Sequence, residues 1–134
     1  MEQQKKRVLL IEDDAAMRTA LAEALTDSGF VVSQGTDGDT GLATALAEHP
    51  DLIILDLLMP NLGGIGLLGA LRRDPWGKSV PVVVLTNLNS MQSVAEVLEH
   101  GSYDYLVKAN VSLAQVVAKI KERLAVVEKE ADKE

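Results

Sequence analysis

Cysteine is absent from the 134 residues, which rules out a disulfide framework, a thiolate zinc site and thiol chemistry, and is consistent with a reducing compartment. Positive charge is scarce: 13 Lys and Arg against 20 Asp and Glu leave a formal net charge of -7, and Gln3 to Arg7 holds the only dense basic patch. Affinity for phosphate backbones comes largely from clustered Lys and Arg, so direct nucleic-acid binding is not expected. Long hydrophobic runs are missing near the start as well. Only Val8 to Ile11 follows the basic patch before Glu12 intervenes, too little for a signal peptide or a membrane span. A cytoplasmic protein with no membrane partner is expected. No glycine-rich nucleotide loop with lysine occurs anywhere.

What is present is a globular composition, 47% hydrophobic and 25% charged. The length suits one domain that buries a core without disulfides or a structural metal. The expectation is a single domain over residues 1–134, with a core over about 7–127 and a charged tail, 128–134, that frays.

The chain is organised around Asp51 to Pro60. Leu52 to Leu55 is apolar on consecutive positions, which suits a strand buried on both faces, and Asp56 closes it before Pro60 and two glycines make the exit a loop. Val8 to Ile11 is a second such run, ending in Glu12-Asp13-Asp14. Asp14 is placed to cap a helix carrying Met17, Leu21, Ala24 and Leu25 at helical spacing, with Gly29 as its stop. Phe30 to Val32 reads as a short strand, Gly35 to Asp39 as a turn, and Leu42, Ala45 and Leu46 as one face of a second helix. Ile65 to Arg73 is a third helix, stopped at Asp74-Pro75, and Trp76 covers an edge of the core. Val80 to Leu85 is a fourth strand with Pro81 near its start, followed by Thr86-Asn87. Ser90 to His100 is a fourth helix, Tyr103 to Val107 a fifth strand, and Ser112 to Gln115 a capping box opening a fifth helix with Val116, Val117, Ile120, Leu124 and Val127 on one side. Strand and helix alternate throughout, the pattern of an α/β fold with a parallel sheet.

Parallel strands bring their carboxyl ends to one edge, where ligands collect. There Glu12, Asp13, Asp56, Thr86 and Lys108 converge: three acids, a hydroxyl and an ammonium. Each has a plainer reading, since a strand-end acid is often a solvated turn residue, a lysine a surface ion pair and a threonine a packed strand residue. Together they form a site for phosphoryl transfer to a carboxylate. Asp56 is the nucleophile, and Mg²⁺ on Glu12, Asp13 and Asp56 neutralises the approaching phosphoryl oxygens. Lys108 pairs with Asp56 and then with a phosphoryl oxygen, and Thr86 donates to another oxygen.

From Arg7 to about Val127 the chain resembles the receiver domain of two-component response regulators. The resemblance rests on Ile11-Glu12-Asp13-Asp14, Leu55-Asp56-Leu57-Leu58-Met59-Pro60, Leu85-Thr86 and Asp104-Tyr105-Leu106-Val107-Lys108. It implies a doubly wound five-stranded parallel sheet of flavodoxin-like order 2-1-3-4-5 with helices on both faces. It also implies that Asp56 accepts a phosphoryl group from a phosphohistidine of a sensor histidine kinase or phosphotransfer protein. The Leu58 backbone carbonyl joins Glu12, Asp13 and Asp56 around Mg²⁺, and Thr86 and Tyr105 form a switch pair. The region Ser90 to Leu124, the face of the fourth helix, fifth strand and fifth helix, is the readout surface for a downstream effector. The protein would be a monomer or a phosphorylation-dependent dimer, and would catalyse only its own aspartyl phosphorylation and dephosphorylation.

Three positions depart from the family pattern. Ala109 stands where a proline with a cis bond is usual, and a cis bond before alanine costs roughly 2.5 to 4 kcal/mol. Asn87 replaces the small residue after the threonine, where it narrows access to the phosphoryl group or hydrogen-bonds to it, and Gly63 replaces the acid before the loop glycine. Leu58 and Leu88, apolar beside the path of the hydrolytic water in this family, predict slow loss of the phosphoryl group; an unchanged lifetime in Leu58→Ala would remove that idea. Of the competing readings, a phosphatase-like enzyme with an aspartyl nucleophile would carry a second Asp at position 58, and a flavin-binding module would carry a Gly, Ser and Thr-rich loop after the first strand. A receiver-like module that binds partners without being phosphorylated is the third, and only Ala109, Asn87 and Gly63 favour it.

Overall fold

A computed structural model of the chain describes residues 5–57, 59, 62–87 and 104–132. Five strands, β1 (Arg7–Ile11), β2 (Val31–Gly35), β3 (Leu52–Leu55), β4 (Val82–Thr86) and β5 (Asp104–Val107), form one parallel sheet in the order β2-β1-β3-β4-β5. This is the expected doubly wound arrangement, in which the strand order reverses beside β1 and opens a crevice at the carboxyl ends of β1 and β3.

The pleat sorts each strand's side chains between two cores. Val8, Leu10, Leu52, Ile54, Val83 and Leu85 point to one face, covered by α1 (Ala15–Asp27) and a C-terminal helix (Leu113–Asp132). Leu9, Ile11, Ile53, Leu55, Val82 and Val84 point to the other, covered by α2 (Gly38–Glu48) and α3 (Gly64–Arg73). Val116, Val117, Ile120 and Leu124 hold the C-terminal helix to its face, each buried apolar side chain contributing about 1.5–3 kcal/mol. A second anchor is ionic: buried Asp104, at the start of β5, accepts from Arg123 Nε at 2.6 Å and lies 3.4 Å from Lys119 Nζ.

The helix starts follow the sequence closely. Asp14 caps α1 by accepting from the Met17 N–H at 3.0 Å, and Gly29, at φ 97°, carries the chain out of it. Ser112 and Gln115 make the reciprocal capping-box bonds, 2.7 and 3.1 Å long. His49 leaves α2 in the left-handed region at φ 50° and its ring stacks on Trp76, 4.2 Å between centroids, so the tryptophan covers a core edge as expected.

Several boundaries differ from the sequence reading. β2 runs on through Ser33 and Gln34 to Gly35, because an edge strand does not need apolar residues on both faces. The following turn is correspondingly short, and Asp37 caps α2 through the Thr40 N–H at 2.8 Å. Leu46 is 38% exposed rather than on the buried face. β4 begins after Pro81, whose carbonyl accepts from the Ile53 N–H at 3.0 Å. The stretch expected to fray from residue 128 is helical to Asp132, in keeping with the helix-forming residues Glu128, Lys129, Glu130 and Ala131. The fourth helix, Ser90 to His100, and Tyr103 lie outside the described residues. No described helix is long and apolar enough to cross a membrane.

Candidate functional site

The sheet register assembles the site. Ile11 pairs with both Gly35 and Leu55, Leu55 with Val84, and Thr86 with Val107, so the strands end level. Backbone bonds from the Glu12 N–H to Gly35 O (3.0 Å) and from the Asp56 N–H to Ile11 O (3.1 Å) extend that alignment by one residue. Glu12 and Asp56 therefore stand side by side past the crevice, with Lys108 arriving from β5.

Lys108 Nζ donates to Asp56 Oδ2 at 3.0 Å and also to Glu12 Oε1. The three side chains are only 17%, 5% and 3% exposed in the order Lys108, Asp56, Glu12, far from a solvated surface pair. Burial, reinforced by the hydrogen bond and charge of Asp56, pushes the Glu12 carboxyl up to about 7 against the pull of Lys108. Burial works to lower the Lys108 ammonium, but its bonds to Glu12 and Asp56 outweigh this and hold it above its ordinary value of 10.5.

Ligand atoms of Glu12, Asp13 and Asp56 lie within 4.8 Å of one another. Glu12 Oε2 is buried with no hydrogen-bond partner among the described residues, although a buried carboxylate oxygen ordinarily has one. A set of hard carboxylate oxygens, one of them buried and unsatisfied, fits Mg²⁺. Asp13 is the exposed member of the three.

Two supports for this cluster were not evident from sequence. Arg18, one turn into α1, reaches back so that Nη1 donates to the carbonyls of Glu12 (2.8 Å) and Asp13 (3.3 Å), fastening the acidic loop. The only signal was its place one turn beyond the Asp14 cap, with a side chain directed toward the helix start. Gly64 lets the loop after Asp56 fold back: a Cβ there would lie 2.4 Å from the Asp56 carbonyl oxygen and 2.5 Å from Leu57 Cα. Gly63, by contrast, has room for a side chain and caps α3 with no side-chain bond.

Thr86 ends β4 fully buried, beside Val107 in the register. Asn87 does not point away from the cluster's frame: its Oδ1 accepts from the Ala109 N–H at 3.1 Å. The Lys108–Ala109 peptide bond is trans. Tyr105, partly buried, packs against the core cluster on the α2–α3 face of the sheet, its hydroxyl buried without a partner among the described residues and its pKa raised by that burial. Leu58 and Leu88 lie outside the described residues, and of the expected readout surface only residues 104–124 are described.

A family model for the response regulator receiver domain matches residues 8–121. Among curated relatives, the chain is 41% identical over 115 residues to the transcriptional regulatory protein PrrA of Mycobacterium tuberculosis, covering 86% of this chain and 48% of that protein. It is 38% identical over 105 residues to the probable transcriptional regulator ycf27 of Porphyridium aerugineum, covering 78% and 42%. The chain thus spans about half the length of these relatives. Among solved structures, a CheY-like response regulator receiver domain protein from Methanospirillum hungatei superposes with a TM-score of 0.89 at 27% identity, covering 95% of this chain and 99% of that one. The BeF3-activated N-terminal receiver domain of Klebsiella pneumoniae RstA gives 0.79 at 30% identity, covering 88% and 97%.

Proposed function

The chain belongs to the response regulator receiver family, and from that premise we propose that it is a phosphorylation-dependent switch with Asp56 as phosphoacceptor. The observation that carries the proposal is the buried cluster in which Lys108 bridges Asp56 and Glu12. A cation on Asp56 holds the nucleophile in place and stands ready to take a phosphoryl oxygen.

The donor is a phosphohistidine on a sensor histidine kinase or phosphotransfer protein. An Asp56 carboxylate oxygen attacks phosphorus, the phosphorus–nitrogen bond breaks with its electron pair leaving on the imidazole, and an acyl phosphate forms. Water attack at phosphorus later returns the carboxylate and inorganic phosphate. Glu12, Asp13 and Asp56, with the Leu58 carbonyl, are the groups that would hold Mg²⁺, which when bound neutralises charge on the phosphoryl oxygens. Arg18 keeps Glu12 and Asp13 in place from behind. Thr86, at the end of β4, donates its hydroxyl to the phosphoryl group, and the Tyr105 ring, packed against the core on the same face of the sheet, moves inward behind it. The two states differ in contacts that only the phosphorylated form can make, so modification biases an existing equilibrium at the face from Ser90 to Leu124. Partners recognise that face. With a net charge of -7 the domain itself works by protein contact rather than by binding nucleic acid, in the cytoplasm, on one domain spanning residues 1–134.

The test is intact mass after incubation with Mg²⁺ and a small phosphodonor such as acetyl phosphate, for wild type and Asp56→Ala. One phosphoryl group gained by wild type alone supports the proposal. No gain by wild type, together with failure to bind beryllofluoride and Mg²⁺, would leave a receiver-like binding module instead.

A further inference from the structure

We infer that Asn87 is a positioning residue for phosphoryl transfer, acting through Ala109 rather than on the phosphoryl group itself. The inference rests on the phosphoacceptor reading above and on one juxtaposition: Asn87 follows Thr86, Ala109 follows Lys108, and the side chain of the first accepts the backbone N–H of the second at 3.1 Å.

The bond meets a local need. Thr86 and Val107 form the last pair of the β4–β5 ladder, so the sheet offers nothing to residue 109. Lys108–Asn110 is a short 3-10 turn, and the first N–H groups of such a turn have no acceptor inside it. Alanine, unlike proline, brings an N–H that must be satisfied, and Asn87 supplies the oxygen from the neighbouring strand end, 22 residues away in sequence.

The consequence falls on Lys108. Val107 before it is tied to Thr86 by the sheet, and Ala109 after it is tied to Asn87 by the amide. The lysine stem is flexible, so where its ammonium settles depends on where its backbone is held. Fixing both neighbours to β4 sets the start of the stem and keeps the ammonium between Glu12 and Asp56. The residues flanking the phosphoryl site are in this way locked in register by a side chain that need not touch the phosphoryl group.

Amide hydrogen exchange at Ala109 reads the bond, and phosphorylation by acetyl phosphate with Mg²⁺ reads its effect. Asn87→Ala should speed Ala109 exchange about fivefold and slow phosphoryl uptake by a similar factor, while Asn87→Asp, which keeps the acceptor oxygen, retains slow exchange. In the Ala109→Pro background the donor is gone, and Asn87→Ala should then change uptake less than about twofold, because the cycle cancels what proline does by itself. Equal slowing by Asn87→Ala in both backgrounds would overturn the inference and place Asn87 on the phosphoryl group. Exchange at Ala109 indifferent to Asn87→Ala would overturn it too. If wild type takes up no phosphoryl group, the phosphoacceptor reading fails, and the exchange rates alone decide whether the brace exists.

Discussion

Replacing Glu12 with glutamine should remove a pH dependence of stability that runs opposite to ordinary acid denaturation. In the fold the Glu12 carboxyl sits at about 7, against 4.5 ordinarily, because it is buried beside Asp56. A raised acid means that the folded state holds the proton over a range where the unfolded chain has lost it. Below 4.5 both states are protonated and the full stability is present; as pH rises from 4.5 through about 7 it is lost, and above that the slope ends. The interval corresponds to roughly 3 kcal/mol. Lys108, raised above 10.5, titrates well outside this window and adds no slope. The assay is urea unfolding without divalent metal at several pH values from about 5.5 to 7.5, comparing wild type with Glu12→Gln, since carboxylates common to both cancel in the difference. Wild type should lose stability relative to the variant as pH rises. Because Mg²⁺ competes with that proton, its apparent affinity for wild type should rise by about tenfold per pH unit up to about 7. A difference that stays flat, or that grows in favour of wild type with pH, would refute the buried, proton-holding Glu12.

Gly63→Asp should stabilise the protein by about 0.5 to 1 kcal/mol in urea unfolding, because the position is an uncapped helix start in extended conformation with room for a side chain. A loss of stability would mean that the loop needs its glycine at 63 as well as at 64. Asp104→Asn should cost about 2 kcal/mol by weakening the charge-assisted bonds from Arg123 and Lys119 that anchor the C-terminal helix. A change below about 0.5 kcal/mol would mark these as ordinary surface pairs.

Consecutive apolar residues made β1, β3 and β4 legible, because strands buried on both faces have no reason to alternate. The same logic failed at β2, where the edge position admits Ser33 and Gln34, and at Leu46, where helical spacing could not tell a buried stripe from its exposed border. Glu12, Asp56, Thr86 and Lys108 could be placed together once strand ends were aligned, since parallel register does the assembling. Arg18 and Gly64 could not, because their roles lie in a side chain reaching backward to two carbonyls and in an approach of backbone to backbone. Asn87 and Ala109 were visible as separate departures from the family pattern. Only the three-dimensional arrangement joins them, through a bond between a side chain and an N–H that no spacing rule relates.

The most direct test of the central claim traps the modification in place. After incubation with Mg²⁺ and acetyl phosphate, borohydride reduces an aspartyl phosphate to homoserine, and peptide mass spectrometry reads the position. Homoserine at residue 56, absent when Mg²⁺ or the donor is withheld, is the predicted result. Homoserine at residue 13, or at no residue while the donor is present, would contradict Asp56 as the acceptor.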